Sequence, residues 1–374
     1  MSESTTAAQD ATGDLVSVVV PAYNVEATLD ECLRSIEAQT HRALEVICLL
    51  DGPTDGTSAI ARAHAARDGR VIVVEKANEG YGATCNRGIA LARGTWVAIV
   101  EPDDVVEPRW IEGLLSCAAR YGGAAGVDVV KAPYWRILPA QGGGTQRVSC
   151  PYRGRVRPRR QPFPVGEGIE LMLHHPAIWS ALYRRGYLQD RRIRFLEVPG
   201  AGWTDNPFMV ETLCRTERIV YTDEPGYCYR ERDLNEAESF AARSPLTPLE
   251  RWNDMMDAAA LAGVEDERVR SALAVRGVTY ALITVGAAGP DAPGVQELVR
   301  SSMERLDEDL VMGSPAISPA GKRLFARARG LGEPKVSAAP YYLHLAREAL
   351  YRARTNGLRF TLETLRSRRA GGRV

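Results

Sequence analysis

The sequence predicts an α/β fold with a mostly parallel central sheet, followed by a helical C-terminal extension. Three observations lead there. Short apolar runs alternate with stretches of helical period through the first hundred or so residues. Turn-forming residues close the runs, as at Pro21 and Asp51-Gly52-Pro53. From about Leu246 onward the pattern is helix-forming, with breaks near Gly289–Pro293, Gly313–Pro319 and Gly330–Pro334.

Leu15–Val20 is a continuous apolar run, the pattern of a strand buried on both faces. An amphipathic helix follows, with Leu29, Cys32, Leu33 and Ile36 on one face. Leu44–Leu50 is a second apolar strand, Thr57–Arg67 a helix and Val71–Glu75 a third strand. Gly80–Arg93 opens on glycines and becomes helical, and Trp96–Val100 is the fourth strand. Strands separated by helices of this length imply right-handed parallel connections. Beyond Pro108, Trp110–Arg120 reads as a helix and Asp128–Leu138 as a strand. Glu167–His174 and Trp179–Asp190 read as helices, and Tyr221–Arg230 as a strand.

A chain of 374 residues can bury a substantial core and hold an appended region. Its net charge is zero, so the total points to no partner. The distribution is more telling. From Lys322 to Val374 there are 13 Lys and Arg against 3 Asp and Glu, a basic tail on an acidic body. Such a tail suits an anionic membrane surface, although a solvated helical face has the same composition. The seven cysteines are scattered without a Cys-x-x-Cys pair, which argues against zinc and redox motifs and fits a reducing cytoplasm. Residues 1–14 are polar, lack the apolar stretch of a signal peptide and read as disordered. No apolar run reaches the roughly 18 residues of a membrane span. The expected location is therefore cytoplasmic, with peripheral contact at the inner face of the membrane.

The chemistry concentrates at strand ends, where open α/β sheets collect ligands. Glu101-Pro102-Asp103-Asp104 follows the fourth strand, and carboxylates there suit Mg²⁺ or Mn²⁺ holding a phosphate. Asp51 follows the second strand and can accept hydrogen bonds from a base or ribose, whereas Asp55 reads as the cap of the next helix. Gly80-Tyr81-Gly82 either lets backbone approach a phosphate or makes a tight turn. Neither a dinucleotide fingerprint nor a Walker motif is present. Arg153, Arg155, Arg157, Arg159 and Arg160 form a basic stretch, and His174 and His175 are adjacent and make a poor metal pair.

Taken together, Val16–Asp104 resembles the nucleotide-binding half of a family 2 glycosyltransferase of the GT-A fold. The matching segments are Pro21–Asn24, Leu50–Thr57, Asn78–Gly80 and Glu101–Asp103, in the family's order. The resemblance implies a residue-15–240 GT-A domain, with a nucleotide-binding half at 15–108 and an acceptor half at 109–240, before a helical region at 241–374. It implies a nucleotide-sugar donor contacted by Pro21, Tyr23, Asn24, Asp51, Asn78, Gly80, Glu101 and Asp103, with Glu101 and Asp103 on the metal. It also implies a general base a hundred or so residues further on, and Asp205 in Pro199–Asn206 occupies that place. Its bland reading is a cap for the helix near Pro207. Trp203 and Trp179 are the expected acceptor-side aromatics, with core packing as the alternative for Trp179 and Tyr183. Arg230 suits either a diphosphate or a structural ion pair.

The departures from the family pattern are Leu50 for an aspartate, Pro53 for a serine, Glu101 for an aspartate and Cys85 for an arginine. The expected activity is transfer of a sugar, most simply from a UDP-sugar, to a hydroxyl of a polysaccharide or lipid-linked acceptor with inversion. The alternative is a catalytically degenerate scaffold subunit. A sugar-phosphate nucleotidyltransferase needs a glycine-rich basic loop where Pro21–Asn24 stands. A nucleic-acid binder needs aromatics interleaved with basic residues, so no nucleic-acid partner is expected.

Overall fold

The computed structural model describes residues 14–140, 143–231, 243–358 and 360–362. The central sheet grows from β1 (Val16–Ala22), β2 (Leu44–Asp51), β3 (Val71–Lys76) and β4 (Trp96–Ile99). These four are mutually parallel, in the order β4-β1-β2-β3. Every residue of β1, β2 and β4 is buried, as their unbroken apolar runs require when helices cover both faces. α1 (Leu29–Glu37), α2 (Thr57–Arg67) and α3 (Tyr81–Leu91) are the crossovers. α1 buries Leu29, Cys32, Leu33 and Ile36, the stripe its sequence displays.

After β4 the chain leaves this regular winding. A short β5 (Val105–Val106), α4 (Trp110–Ala119) and α5 (Gly123–Gly126) precede β6 (Val129–Lys131), β7 (Tyr134–Pro139) and β8 (Thr145–Ser149). The expected Asp128–Leu138 strand is thus two strands, broken at Ala132-Pro133, and they enter different sheets. The stretch Arg153–Arg160, read as extended chain, begins as a turn. A 3₁₀ turn at Val165–Gly168 and α6 (Glu170–Leu173) replace the expected Glu167–His174 helix.

The helix expected at Trp179–Asp190 is instead β9 (Ala181–Arg184) followed by α7 (Arg185–Asp190). β9 runs antiparallel between β4 and β6, so its side chains are buried on both faces and mimic a core helix in sequence. α8 (Asp205–Cys214), β10 (Ile219–Tyr221) and β11 (Tyr227–Arg230) complete this part. The seven-stranded sheet reads β10-β6-β9-β4-β1-β2-β3, and a second sheet reads β5-β11-β7-β8.

A boundary near 240 falls outside the described residues. The described residues beyond it include α9 (Thr247–Leu261), α10 (Glu267–Ala288), α11 (Val295–Glu304), α12 (Glu308–Gly313), α13 (Pro319–Ala328) and α14 (Ala339–Asn356). α9 packs on α8 and α10. Its Trp252 is fully buried and donates to the Leu273 carbonyl at 2.8 Å. One apolar cluster runs from Val16 to Phe325, so the sheet and most of the helical region share a core. α10 is long and apolar enough by composition to cross a membrane, but here it is the central helix of this bundle, packed on α9, α11, α12 and α13.

Candidate active site at the carboxyl ends of the parallel strands

The loops that follow β1, β2, β3 and β4 meet on one edge of the sheet, because parallel strands place all their carboxyl ends there. The first two loops clasp each other. Asn24 accepts the Thr54 N–H at 2.8 Å, Glu26 accepts the Gly56 N–H at 2.6 Å, and Asp55 accepts the Glu26 and Thr57 N–H groups at 3.1 and 3.0 Å. Asp55 therefore satisfies the start of α2, as its position suggests. Asn24 adopts a left-handed backbone, φ 50°, a conformation Asn tolerates better than most residues. Pro21 lies buried within β1, while Tyr23 is about half exposed and Asn78 is exposed. The latter two lie at the carboxyl-end rim of the sheet, open to solvent.

Asp51 and Gly80 do not face the cleft as a donor contact would. Asp51 is 4% exposed. Its carboxylate accepts the Glu79 N–H at 2.9 Å and the Gly80 N–H at 3.0 Å, and pairs with the Lys76 amine. Those three partners use most of the carboxylate's roughly four lone pairs and tie it to the turn. Gly80 is buried at φ 92°, and the Tyr81 N–H donates to the Gly200 carbonyl at 3.0 Å. A Cβ on Gly80 would stand 2.7 Å from the Val198 carbonyl oxygen. Glycine here lets the segment 198–202 dock on the start of α3, and the N–H groups a phosphate would use are already engaged.

That docked segment leads to Asp205. Asn86 holds its upstream end by a reciprocal pair with Phe195 (N–H to Oδ1 2.9 Å, Nδ2 to carbonyl 3.0 Å) and by a bond to Glu197 at 2.9 Å. Trp203 sits half-buried at φ 55°, a strained conformation for an aromatic residue. α8 begins at Asp205, and Thr204 is its cap residue. Asp205 is therefore not the helix cap. Its carboxylate accepts Asn206 Nδ2 at 3.2 Å, and burial pushes it up to about 6, an effect that nearby Arg276 opposes.

On the β4 side, Glu101 and Asp103 are half-buried. The Tyr81 hydroxyl donates to Glu101 Oε1 at 2.5 Å. Burial pushes the Glu101 carboxyl up to about 8; the Tyr81 bond works against this, and the charges of Asp103 and Asp205 add to it. Glu101 thus feels the charge of both Asp103 and Asp205. Asp104 is structural. It is 1% exposed and accepts the Tyr227 hydroxyl at 2.8 Å and the Arg230 N–H at 2.7 Å, while Tyr227 in turn accepts the Glu101 N–H at 3.0 Å. Arg230 forms an ion pair with Glu31 at 2.6 Å, which decides for its structural reading.

Trp179 is 3% exposed and stacks between Tyr227, centroids 4.2 Å apart, and Tyr229 at 5.0 Å. Packed on both faces, it cannot offer a ring to an acceptor; Tyr183, 1% exposed, is core as well. His175 lies against Tyr229, and burial together with Arg276, Arg136 and Lys131 pushes it down to about 3, so it is a neutral ring.

Two groups escaped the sequence reading. Tyr81 was hidden between two glycines whose turn role drew attention. Arg276, on α10, donates to Asn206 Oδ1 at 3.1 Å, to the Tyr280 hydroxyl at 2.9 Å and to the Met172 carbonyl at 2.8 Å. Tyr280 also donates to Asn206 Oδ1, at 2.9 Å. The helical region thus reaches the residue next to Asp205. No local sequence signal marks such a contact across 70 residues.

The comparisons with known proteins agree with this geometry. The sequence model of Glycosyl transferase family 2 matches residues 17–167. The chain is 33% identical to the uncharacterized glycosyltransferase EpsJ of Bacillus subtilis, over 58% of this chain and 61% of that protein. It is 32% identical to the glycosyltransferase GlyA of Streptococcus pneumoniae, over 59% of this chain and 31% of that one. The chain therefore spans less than two thirds of these relatives. Among solved structures, Staphylococcus aureus TarS 1–349 in complex with UDP-GlcNAc superposes with a TM-score of 0.65 at 19% identity, over 84% of this chain and 87% of that one. The shared architecture is the GT-A fold. Residues 17–167 are thus similar to glycosyl transferase family 2, and the chain resembles these named glycosyltransferases over nearly three fifths of its length.

Proposed function

We propose that this protein transfers a sugar from a nucleotide-sugar donor, a UDP-sugar, to a hydroxyl of a polysaccharide or lipid-linked acceptor, with inversion. The observation that carries this reading is the convergence of Glu101, Asp103 and Asp205 at the carboxyl ends of the parallel strands. The raised proton affinity of Asp205 fits a base that must take a hydroxyl proton near neutral pH. In a single displacement the acceptor oxygen bonds to the anomeric carbon, the bond to the nucleoside diphosphate breaks on the opposite face, and Asp205 receives the proton.

Glu101 and Asp103 fit Mg²⁺ or Mn²⁺. They are hard oxygen donors close to each other, and a cation offsets both the burial and the lesser repulsion that raise Glu101. Two carboxylates, with phosphate oxygens and water, are the usual protein share of a Mg²⁺ site. When bound, the ion neutralises charge on the departing diphosphate. Tyr81 fixes the Glu101 carboxylate, and Asp51 and Gly80 fix the turn on which the Asp205 loop rests. Tyr23, Asn24 and Asn78 border the nucleoside side, and Trp203 borders the acceptor side.

The test is a thermal-shift panel of nucleoside diphosphates with and without Mn²⁺, followed by a UDP-sugar turnover assay. UDP stabilisation that grows with metal supports the reading, and preference for another nucleotide changes the donor alone. The absence of any response moves the protein to the scaffold reading, which the buried Leu50 in place of an acid favours.

A further inference from the structure

The last described helix presents its side chains in an inverted manner. α14 buries none of its residues. Polar bonds hold its inward face. Glu348 takes Arg155 at 2.5 and 3.0 Å, the Tyr351 hydroxyl donates to the Arg153 carbonyl at 2.6 Å, and Asn356 exchanges two bonds with the Ser149 backbone at 2.8 and 3.2 Å. The leucines point the other way. Leu343 and Leu350 are 53% and 51% exposed, and Arg347 and Arg354 are exposed beside them. At positions i, i+4, i+7 and i+11 these four form one stripe on a helix. Leu358 and Leu362, just past the helix, are also exposed.

Charge on the leucine stripe itself has one sign. The only acid in α14 is Glu348, which is turned inward onto Arg155. The same inward bonds bring the Arg153–Arg160 segment to the flank of the helix, where Arg157, Arg159 and Arg160 are exposed. That segment lies on the inward side of the helix, where Asp223 accepts the Gly154 N–H at 2.8 Å and Glu167 accepts the Arg159 N–H at 3.1 Å.

We infer that this face docks on the surface of an anionic phospholipid bilayer. Exposed leucines gain by entering the boundary of the acyl chains, and the arginines between them meet lipid phosphates. A purely apolar face would suit a protein partner equally well, whereas arginines interleaved with the leucines select an anionic interface. The inference stands on the helix and does not depend on the transferase reading.

Flotation of the full chain with phosphatidylcholine vesicles, with and without phosphatidylglycerol, tests it. The chain floats only with the anionic lipid, and added salt releases it. Leu343→Ser combined with Leu350→Ser lowers partitioning by about tenfold or more. Arg347→Gln combined with Arg354→Gln lowers it by roughly tenfold as well. Thermal melting checks that both variants stay folded; should the serine pair melt early, the arginine pair, which alters only exposed charge, decides. The inference is overturned if the parent chain does not float, if the folded variants float like the parent, or if the leucines instead support a concentration-dependent dimer in light scattering.

Discussion

Asp205 combines two properties that a base requires, and they pull against each other. Burial raises its proton affinity, so ionisation in the folded state is penalised. The folded chain therefore holds its proton up to about pH 6, whereas the unfolded chain loses it near the ordinary carboxylate value. Stability from this group falls as pH rises through that window and stays reduced above it. Asp205→Asn should thus abolish transfer, a loss on the order of 10² or more, yet raise stability at pH 8 by on the order of 1–2 kcal/mol in a urea melt. Retained UDP binding by this variant is part of the expectation; if binding collapses too, Asp205 is structural. Asp103→Asn should lose both transfer and the metal-dependent share of UDP binding, and normal turnover would remove it from the metal. Asp51 shows what a residue's neighbours decide. A strand-end aspartate reads as a ligand, but one whose oxygens already hold two N–H groups and a lysine serves the turn instead.

Each element delivers its part by docking on another. The segment before α8 is placed by Asn86 and by the glycine at position 80. Gly80→Ala would push a methyl group against the Val198 carbonyl at an unfavourable φ. We expect it to cost about 1–3 kcal/mol and to reduce kcat more than UDP affinity; equal kcat would show that the loop position is not critical. α10 reaches the same site from the helical region. Arg276 favours the ionised form of Asp205. Arg276→Gln should therefore raise the Asp205 pKa and shift the acid limb of the pH–rate profile to higher pH, while an unshifted limb would leave Arg276 a packing residue. The misread elements share one cause. β9 is a strand enclosed on both faces, and the chain between Asp128 and Leu138 changes sheets at a proline; neither event alters composition enough to show.

At the scale of the whole molecule, one core joins the sheet to the bundle, so the helical region acts as the rear wall of the active site as well as an appendage. Binding should therefore stabilise the whole cooperative unit. UDP with Mn²⁺ at about a hundred times its Kd is expected to add about 2.7 kcal/mol, seen as a single shifted melting transition; two transitions would mean that the regions unfold separately.

The sequence by itself determined the winding of β1 to β4, since buried parallel strands must be unbroken apolar runs ended by turn residues, and those turns carry the chemistry. It also singled out Glu101 and Asp103 as acids following a buried strand, and the family resemblance singled out Asp205, as candidates. What it could not carry was the direction in which a side chain turns. Asp51, Gly80 and Trp179 are engaged by partners 20 or more residues away, and Tyr81 and Arg276 make contacts of the same kind. Such contacts exist only once the chain has closed on itself, and so only the tertiary structure decided which residues line the cleft and which hold it open.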